Sequence, residues 1–324
     1  MTSYAQNGED VVLARAFREV RSGFYIDVGA SDPVVDSVTK HFYERGWHGI
    51  NIEPALATLA ALRDTRPRDV NLGVALGESE GTATFYELPR QMTGCSTLSP
   101  ELAKEYRRDG WEPREREVEV RTLAQVCEEH VGERVIDFLK IDVEGDELAV
   151  LIGADLARFR PRVLVVEATR PGTPIPAYDE WESHVLGARY QFVMFDGLNR
   201  FYVREEDQPL TKVLDVPASY FDDYVPHRYA VWKEDAENAR SQAEDAHIRE
   251  QQANARQLQA NAREQQAVRA AMEQDRRAGS LELALTETRA HLRASRGALR
   301  DARLELSASR QALAGALEQA PRSE

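Results

Sequence analysis

The sequence predicts an α/β protein built on a mostly parallel sheet, followed by a long C-terminal helical tail, and three observations carry that expectation. Short apolar runs ending in glycine or an acid alternate with amphipathic segments from about residue 9 to about residue 200, a pattern of strands joined by crossover helices on both faces of a sheet. The last two apolar runs, in "YQFVMFDGLNRFYV", are joined too closely to be parallel neighbours, so one strand must run antiparallel and is expected to finish the sheet. Beyond residue 233 the composition changes: 234–324 holds no Phe, Tyr, Trp or Lys and is dominated by Ala, Arg, Glu, Gln and Leu, as in long helices and coiled coils. A globular domain over 1–233 and a helical coiled-coil tail over 234–324, frayed at its C-terminus, are therefore expected.

The elements follow in order. Helical spacing of apolar residues in "EDVVLARAFREV" predicts a helix over 9–20, closed by "RSG". "GFYIDVGA" is a buried strand running into a loop, "SVTKHFYERG" a helix with Gly46 near its end, and "WHGINIEP" a second strand halted by Pro54. "ALATLAALRD" reads as helix, "VNLGVALG" as a third strand and "GTATFYEL" as an added strand. "RTLAQVCEEHV" is a helix, "IDFLKIDVEG" the fourth strand, "DELAVLIGADLARF" a helix, "RVLVVEAT" the fifth strand and "YDEWESHVLGA" a helix. Between the third and fourth strands, "TGCSTLS" and the polar run "AKEYRRDGWEPREREVEV" form a long insertion. At the ligand end of such a sheet an insertion of this kind serves as lid or binding wall.

Charge narrows the partners. The formal net charge is −14; 14 Arg against 15 Asp and Glu in 234–324 leave about −13 on the globular part. That surface repels phosphate backbones and anionic headgroups, so neither nucleic acid nor direct membrane insertion is expected. No run approaches the roughly 20 apolar residues that span a bilayer, and "MTSYAQNGED" lacks the regions of a signal peptide. A cytoplasmic location is expected. Cys95 and Cys127 lack metal-ligand spacing and read as two thiols.

In open sheets of this kind ligands bind beyond the carboxyl ends of the strands. The first strand ends in Asp27, Val28, Gly29, Ala30, Ser31, Asp32 and Pro33. Gly29 allows a tight turn and close backbone approach, and Asp27 can accept hydrogen bonds from a cationic or hydroxylated ligand. A dinucleotide fingerprint would need further glycines where Ser31 and Pro33 stand, which disfavours a nicotinamide cofactor. Glu53, followed by Pro54, ends the second strand 26 residues after Asp27, close to the interval at which an acid accepts hydrogen bonds from ribose hydroxyls. Ala75 and Leu76 at the third strand end offer an apolar slot for a flat adenine ring. In the fourth strand, burial of Ile136, Phe138, Leu139 and Ile141 would leave Lys140 in or near the sheet, with Asp142 and Glu144 emerging at its end. Glu167 ends the fifth strand. Three acids and one lysine at a single rim raise a pKa, hold a metal or face a positive ligand; the alternative is a lysine paired with a carboxylate for structure alone.

With these residues in place, the chain resembles the FkbM family of S-adenosylmethionine-dependent methyltransferases over residues 4 to 204. The matching segments include "YAQNGEDVVLARAF", "GFYIDVGASDPVVDSVTKHFYERGWHGINIEP", "VALGESEG", "CSTLSPE", "VRTLAQV", "IDFLKIDVEGDELAVLIGA" and "RPRVLVVEAT". The resemblance implies a class I methyltransferase, Rossmann-like fold with S-adenosylmethionine as cofactor. It also implies O-methyl transfer, with sugars and polyketide-type natural products as usual acceptors. "DVGA" would lie under the methionine and ribose, and Glu53 would bind the ribose hydroxyls. The expected cofactor-binding set is Asp27, Gly29, Ala30, Ser31, Glu53, Pro54, Ala75 and Asp142.

The expected catalytic set is Asp142, Glu144, Glu167 and Lys140. Any of the carboxylates can take the proton of an alcohol, and Lys140 can orient one of them or stabilise the alkoxide. The same acids can instead hold Mg²⁺; the metal-free reading is preferred because no second acid adjoins Glu167. The lone histidines His41, His48 and His184 are weaker candidates for the base. From the insertion, Ser96, Thr97, Arg107, Arg108 and Trp111 can contact a sugar-containing acceptor, Trp111 by stacking.

In the tail, Leu285, Leu292, Leu299, Leu306 and Leu313 recur every seven residues, each followed three positions on by a small residue, Thr288, Ser295, Ala302, Ser309 and Ala316. This is a thin coiled-coil seam. The half before residue 280 is rich in Ala and Gln and is expected to be helical but weakly paired. As one continuous helix, about 80 residues would reach ~120 Å and could space or homo-oligomerise catalytic domains. The alternative function is a non-catalytic methyltransferase-like scaffold that organises a glycan-building complex through its tail; the intact set of strand-end acids argues against it.

Overall fold

The computed structural model describes residues 1–274 and 281–318. The chain divides into two compact units, Met1–His227 and Arg228–Glu324. The first unit opens with β1 (Thr2–Ser3), α1 (Glu9–Ala16), β2 (Phe24–Val28), α2 (Lys40–Glu44), β3 (His48–Ile52), α3 (Leu56–Thr65) and β4 (Val70–Leu72). Then come β5 (Ala75–Leu76), β6 (Gly81–Glu87), α4 (Pro100–Arg108), β7 (Arg114–Arg121), α5 (Leu123–His130), β8 (Phe138–Ile141), α6 (Glu147–Ile152) and β9 (Val163–Glu167). The unit closes with α7 (Glu182–Gly187), β10 (Tyr190–Phe195), β11 (Asn199–Arg204), α8 (Thr211–Leu214) and β12 (Val225–Pro226).

A seven-stranded sheet runs in the order β10-β11-β9-β8-β2-β3-β4. Its central strands β2, β8 and β9 are buried along their whole length, as strands covered on both faces must be, and their side chains alternate between two cores. Ile26, Val28, Leu139 and Ile141 face one core; Tyr25, Phe138, Val163 and Val165 face the other. Lys140 shares the face of Phe138, so a cation sits in the middle of a buried layer.

The antiparallel strand is β11, but it does not finish the sheet. It is inserted between β9 and β10 and runs against both, so the short turn after β10 returns the chain inward and leaves β10 at the edge. "VNLGVALG" is two strands, not one. β4 ends at Leu72, and β5 leaves the main sheet to pair with β7, Ala75 opposite Val120. The insertion read as a polar run is in fact structured: Ser99 caps α4, with Pro100 in its first turn, and β7 pairs with β6 from Gly81↔Val120 to Glu87↔Arg114. Several predicted helices are shorter: α1 stops at Ala16, α2 spans only Lys40–Glu44, α6 stops at Ile152 and α7 begins at Glu182.

The second unit is two helices, α9 (His227–Gln274) and α10 (Leu281–Glu318), so the tail is not one continuous rod. Ion pairs Arg249–Glu305, Arg303–Glu250 and Arg289–Glu264 fix an antiparallel register. That register brings Ala246, Ala253 and Ala260 level with Leu306, Leu299 and Leu292, all of them buried. The half expected to pair weakly thus supplies an alanine stripe against the leucine stripe. The side chains of Leu285 and Ala316, and the end expected to fray at 319–324, lie outside the described residues. Among the described residues no helix is long and apolar enough to cross a membrane.

Candidate active site

Strand order reverses between β2 and β8, and a cavity of about 630 Å³ opens at their carboxyl ends, where such sheets bind ligands. Gly29 and Ser31 line it from β2, Glu53 and Pro54 from β3, Ala75 and Leu76 from β5, and Lys140, Asp142 and Glu144 from β8. Met92 and the run from Gly94 to Leu98 of the insertion cover another side.

Gly29 is fixed by register. Val28 pairs with Ile141 and the Asp142 amide donates to Val28 O at 3.0 Å, which brings the next backbone units together. A Cβ on Gly29 would stand 1.7 Å from Asp142 O, and its φ is +77°; both exclude a side chain. Ser31 follows with φ +48°, and its amide donates to Glu53 Oε2 at 2.9 Å. Glu53 Oε1 accepts from the Ala55 amide at 2.7 Å. Burial pushes the Glu53 carboxyl up to about 7 despite these amides.

At the cavity floor, Lys140 Nζ lies 3.2 Å from Asp142 Oδ2 and 3.7 Å from Asp27 Oδ1, and donates to Gly29 O at 3.3 Å. Burial opposes a charge on this lysine, but Asp142 and Asp27 outweigh it and raise its pKa. Asp27 is raised by burial, which Lys140 and Thr39 only partly offset. Thr39 Oγ1 donates to Asp27 Oδ2 at 3.0 Å and accepts from Arg66 Nη1 at 3.3 Å. The fully buried Arg66 also donates to Pro33 O at 2.6 Å and Ser37 Oγ at 2.9 Å. Buried polar groups joined in this way hold one another's orientation.

The loop after β8 is equally constrained. Glu144 adopts φ +57°, rare for a residue with a side chain and frequent at functional sites. Thr97 Oγ1 donates to Glu144 O at 2.8 Å, and Glu147 Oε1 accepts from the Val143 and Gly145 amides at 3.2 and 3.1 Å. One carboxylate oxygen each from Asp142, Glu144 and Glu167 lie within 4.8 Å of one another. Burial first, then the Asp142 charge, pushes Glu144 and Glu167 well above neutrality. Burial and the same carboxylates push the Cys95 thiol up to about 12, so it stays a thiol.

Most sequence-predicted residues meet here. Asp27 and Ala30 lie buried rather than on the lining, Ala75 reaches the cavity from the small sheet rather than the main one, and Glu167 joins through the acid cluster. Lys140 does pair with carboxylates, yet it also lines the cavity, so structure and site use the same contact. In the insertion Ser96 and Thr97 line the cavity. Arg107, Arg108 and Trp111 do not: Arg107 pairs with Glu115 at 2.7 Å on the surface, Arg108 is exposed and Trp111 half-buried. None of the three histidines lines it either; His41 packs on Phe42, His48 on Phe24, and His184 is exposed. Sequence reasoning missed Gln6, Phe85, Met92 and Cys95 on the lining. Gln6, Phe85 and Met92 are of types that carry no signal of chemistry, Cys95 reads only as an ordinary thiol, and only the pairing of β6 with β7 brings Phe85 there.

The fold and site together define a methyltransferase-like α/β protein with a glycine-floored cavity rimmed by acids. Residues 27–192 match the family model of the methyltransferase FkbM domain, about half of the chain, and the chain belongs to that family of methyltransferases. No curated protein matches the chain.

Proposed function

We propose that the chain is an S-adenosylmethionine-dependent O-methyltransferase acting on a sugar hydroxyl in a glycan or glycosylated natural product. The observation that carries the reading is the Gly29 floor, where the backbone is bare because Asp142 O leaves no room for a Cβ, set between Glu53 and the acid cluster. When bound, the cofactor supplies a methyl group on a positively charged sulfur. This chain's residues fit it: the rim acids favour positive charge, and Ala75, Leu76 and Phe85 form an apolar slot for its flat ring. Each Glu53 oxygen accepts one amide bond and keeps a lone pair for a ribose hydroxyl. Pro54 and Ser31 wall that corner.

Methyl transfer depends chiefly on holding the acceptor oxygen in line. Asp142, steadied by Lys140, lines the cavity and is the carboxylate that takes the hydroxyl proton. Glu144 and Glu167 retain protons at neutral pH in the cation-free site and serve as donors towards acceptor oxygens. A sugar as acceptor rests on the family resemblance and on the polar wall of Ser96, Thr97 and Asp146.

Calorimetry of the full chain with S-adenosylmethionine and S-adenosylhomocysteine tests the cofactor. Both are expected to bind, and Glu53→Gln to weaken both about 10- to 100-fold, the loss of a charge-assisted bond. No binding of either would overturn the reading. Binding of both without methyl transfer to any of a panel of nucleotide sugars and deoxysugar glycosides would favour the scaffold alternative.

A further inference from the structure

We propose that Asp142, Glu144 and Glu167 form a binding site for one hard divalent cation, Mg²⁺ or Mn²⁺, at the acceptor end of the cavity. The three residues come from the ends of β8 and β9 and offer one oxygen each within 4.8 Å of one another. An octahedral cation with oxygens at ~2.1 Å places them about 3 Å apart when adjacent and about 4.2 Å apart when opposite, so one ion reaches all three once the side chains close by roughly 1–2 Å. All the ligand atoms are carboxylate oxygens, which select this class of cation over softer metals.

A second observation does not depend on the acids being clustered. Glu167 is 7% exposed, and its Oε2 is buried with no hydrogen-bond partner, as is Glu144 Oε2. A buried carboxylate oxygen left in this state is costly unless a proton or cation meets it. Lys140 cannot serve, because Asp27 and Asp142 already share it. Asp27, Asp142, Glu144, Glu167 and Lys140 carry a formal charge of −3 when all are ionised. One divalent cation and two protons bring that set to the same charge, so the cation can replace the protons without loss of balance.

On sequence alone a metal is disfavoured because Ala168, not a second acid, follows Glu167. In space Glu144 takes that place, turned towards the rim by its left-handed backbone. Asp142 and Glu144 line the cavity, so the ion's remaining positions face it. There, if the methyltransferase reading above holds, an acceptor hydroxyl would bind with its pKa lowered.

The test uses full-length protein stripped with EDTA and dialysed. Titration with Mn²⁺, read by the loss of its free electron paramagnetic resonance signal, is expected to show one site per chain that Mg²⁺ competes for. Glu167→Gln and Glu144→Gln are each expected to weaken it at least tenfold, while Glu78→Gln on the exposed surface leaves it unchanged. Absence of a stoichiometric site below millimolar Mn²⁺, or a site that both cluster variants retain, overturns the proposal. S-adenosylhomocysteine calorimetry in EDTA, on the same samples, reports separately on cofactor binding and on whether each variant is folded.

Discussion

Gly29 is the residue on which the proposed donor binding turns. Its neighbour across the sheet, Asp142 O, lies where a Cβ would go, so even alanine must push β2 and β8 apart at the point where the site is assembled. Gly29→Ala is therefore expected to lower S-adenosylhomocysteine affinity by at least tenfold in calorimetry and to lower the thermal midpoint. Gly110 also has a positive φ, of +88°, but a Cβ there meets nothing within 4 Å. Gly110→Ala should cost only about 1 kcal/mol of backbone strain and leave affinity as it was. A merely conformational need for glycine would make the two variants alike.

At the scale of elements, what the sequence makes legible and what it hides have physical reasons. Asp27, Glu53, Lys140, Asp142, Glu144 and Glu167 stand out because charge at the end of an apolar run demands an explanation. β7 was hidden because "REREVEVR" looks like solvated charge, although Val118 and Val120 alternate with its acids and are buried. The alanine stripe Ala239, Ala246, Ala253 and Ala260 has a strict seven-residue period, but alanine buries so little area that it barely registers as an apolar face. Its partner shows what it does. Leu299 is 8% exposed and faces that stripe, whereas Leu304 on the same helix is 61% exposed. Leu299→Ala should destabilise the α9–α10 pair by about 2 kcal/mol, the low end for a buried leucine, and Leu304→Ala should be nearly silent. Thermal melts followed by helical circular dichroism distinguish them, and equal effects would mean the leucine stripe is not a seam.

For the molecule as a whole, the acids buried around the site set its response to pH. Burial pushes Glu9, Glu53 and Glu147 up to about 7, and Glu144 and Glu167 further. Each binds its proton more tightly folded than unfolded. Their contribution is complete below about pH 4.5 and is lost as pH rises, through about 7 for the first three. Each group tilts stability by at most about 1.4 kcal/mol per pH unit within its window. Asp207, lowered by Arg162 and Arg204 despite burial, tilts the other way only under acid conditions. The thermal midpoint of ligand-free, EDTA-treated protein should therefore fall from pH 5 to pH 8, and Glu167→Gln, neutral throughout, should make that fall shallower. A midpoint that rises over this range would contradict the burial on which the site is argued. The helical hairpin adds a kinetic property. Its leucine stripe is already covered by the alanines of its own chain, so a second chain can take that seam only by displacing the first. Any self-association through it must proceed by exchange of helices, at a rate set by how often the hairpin opens.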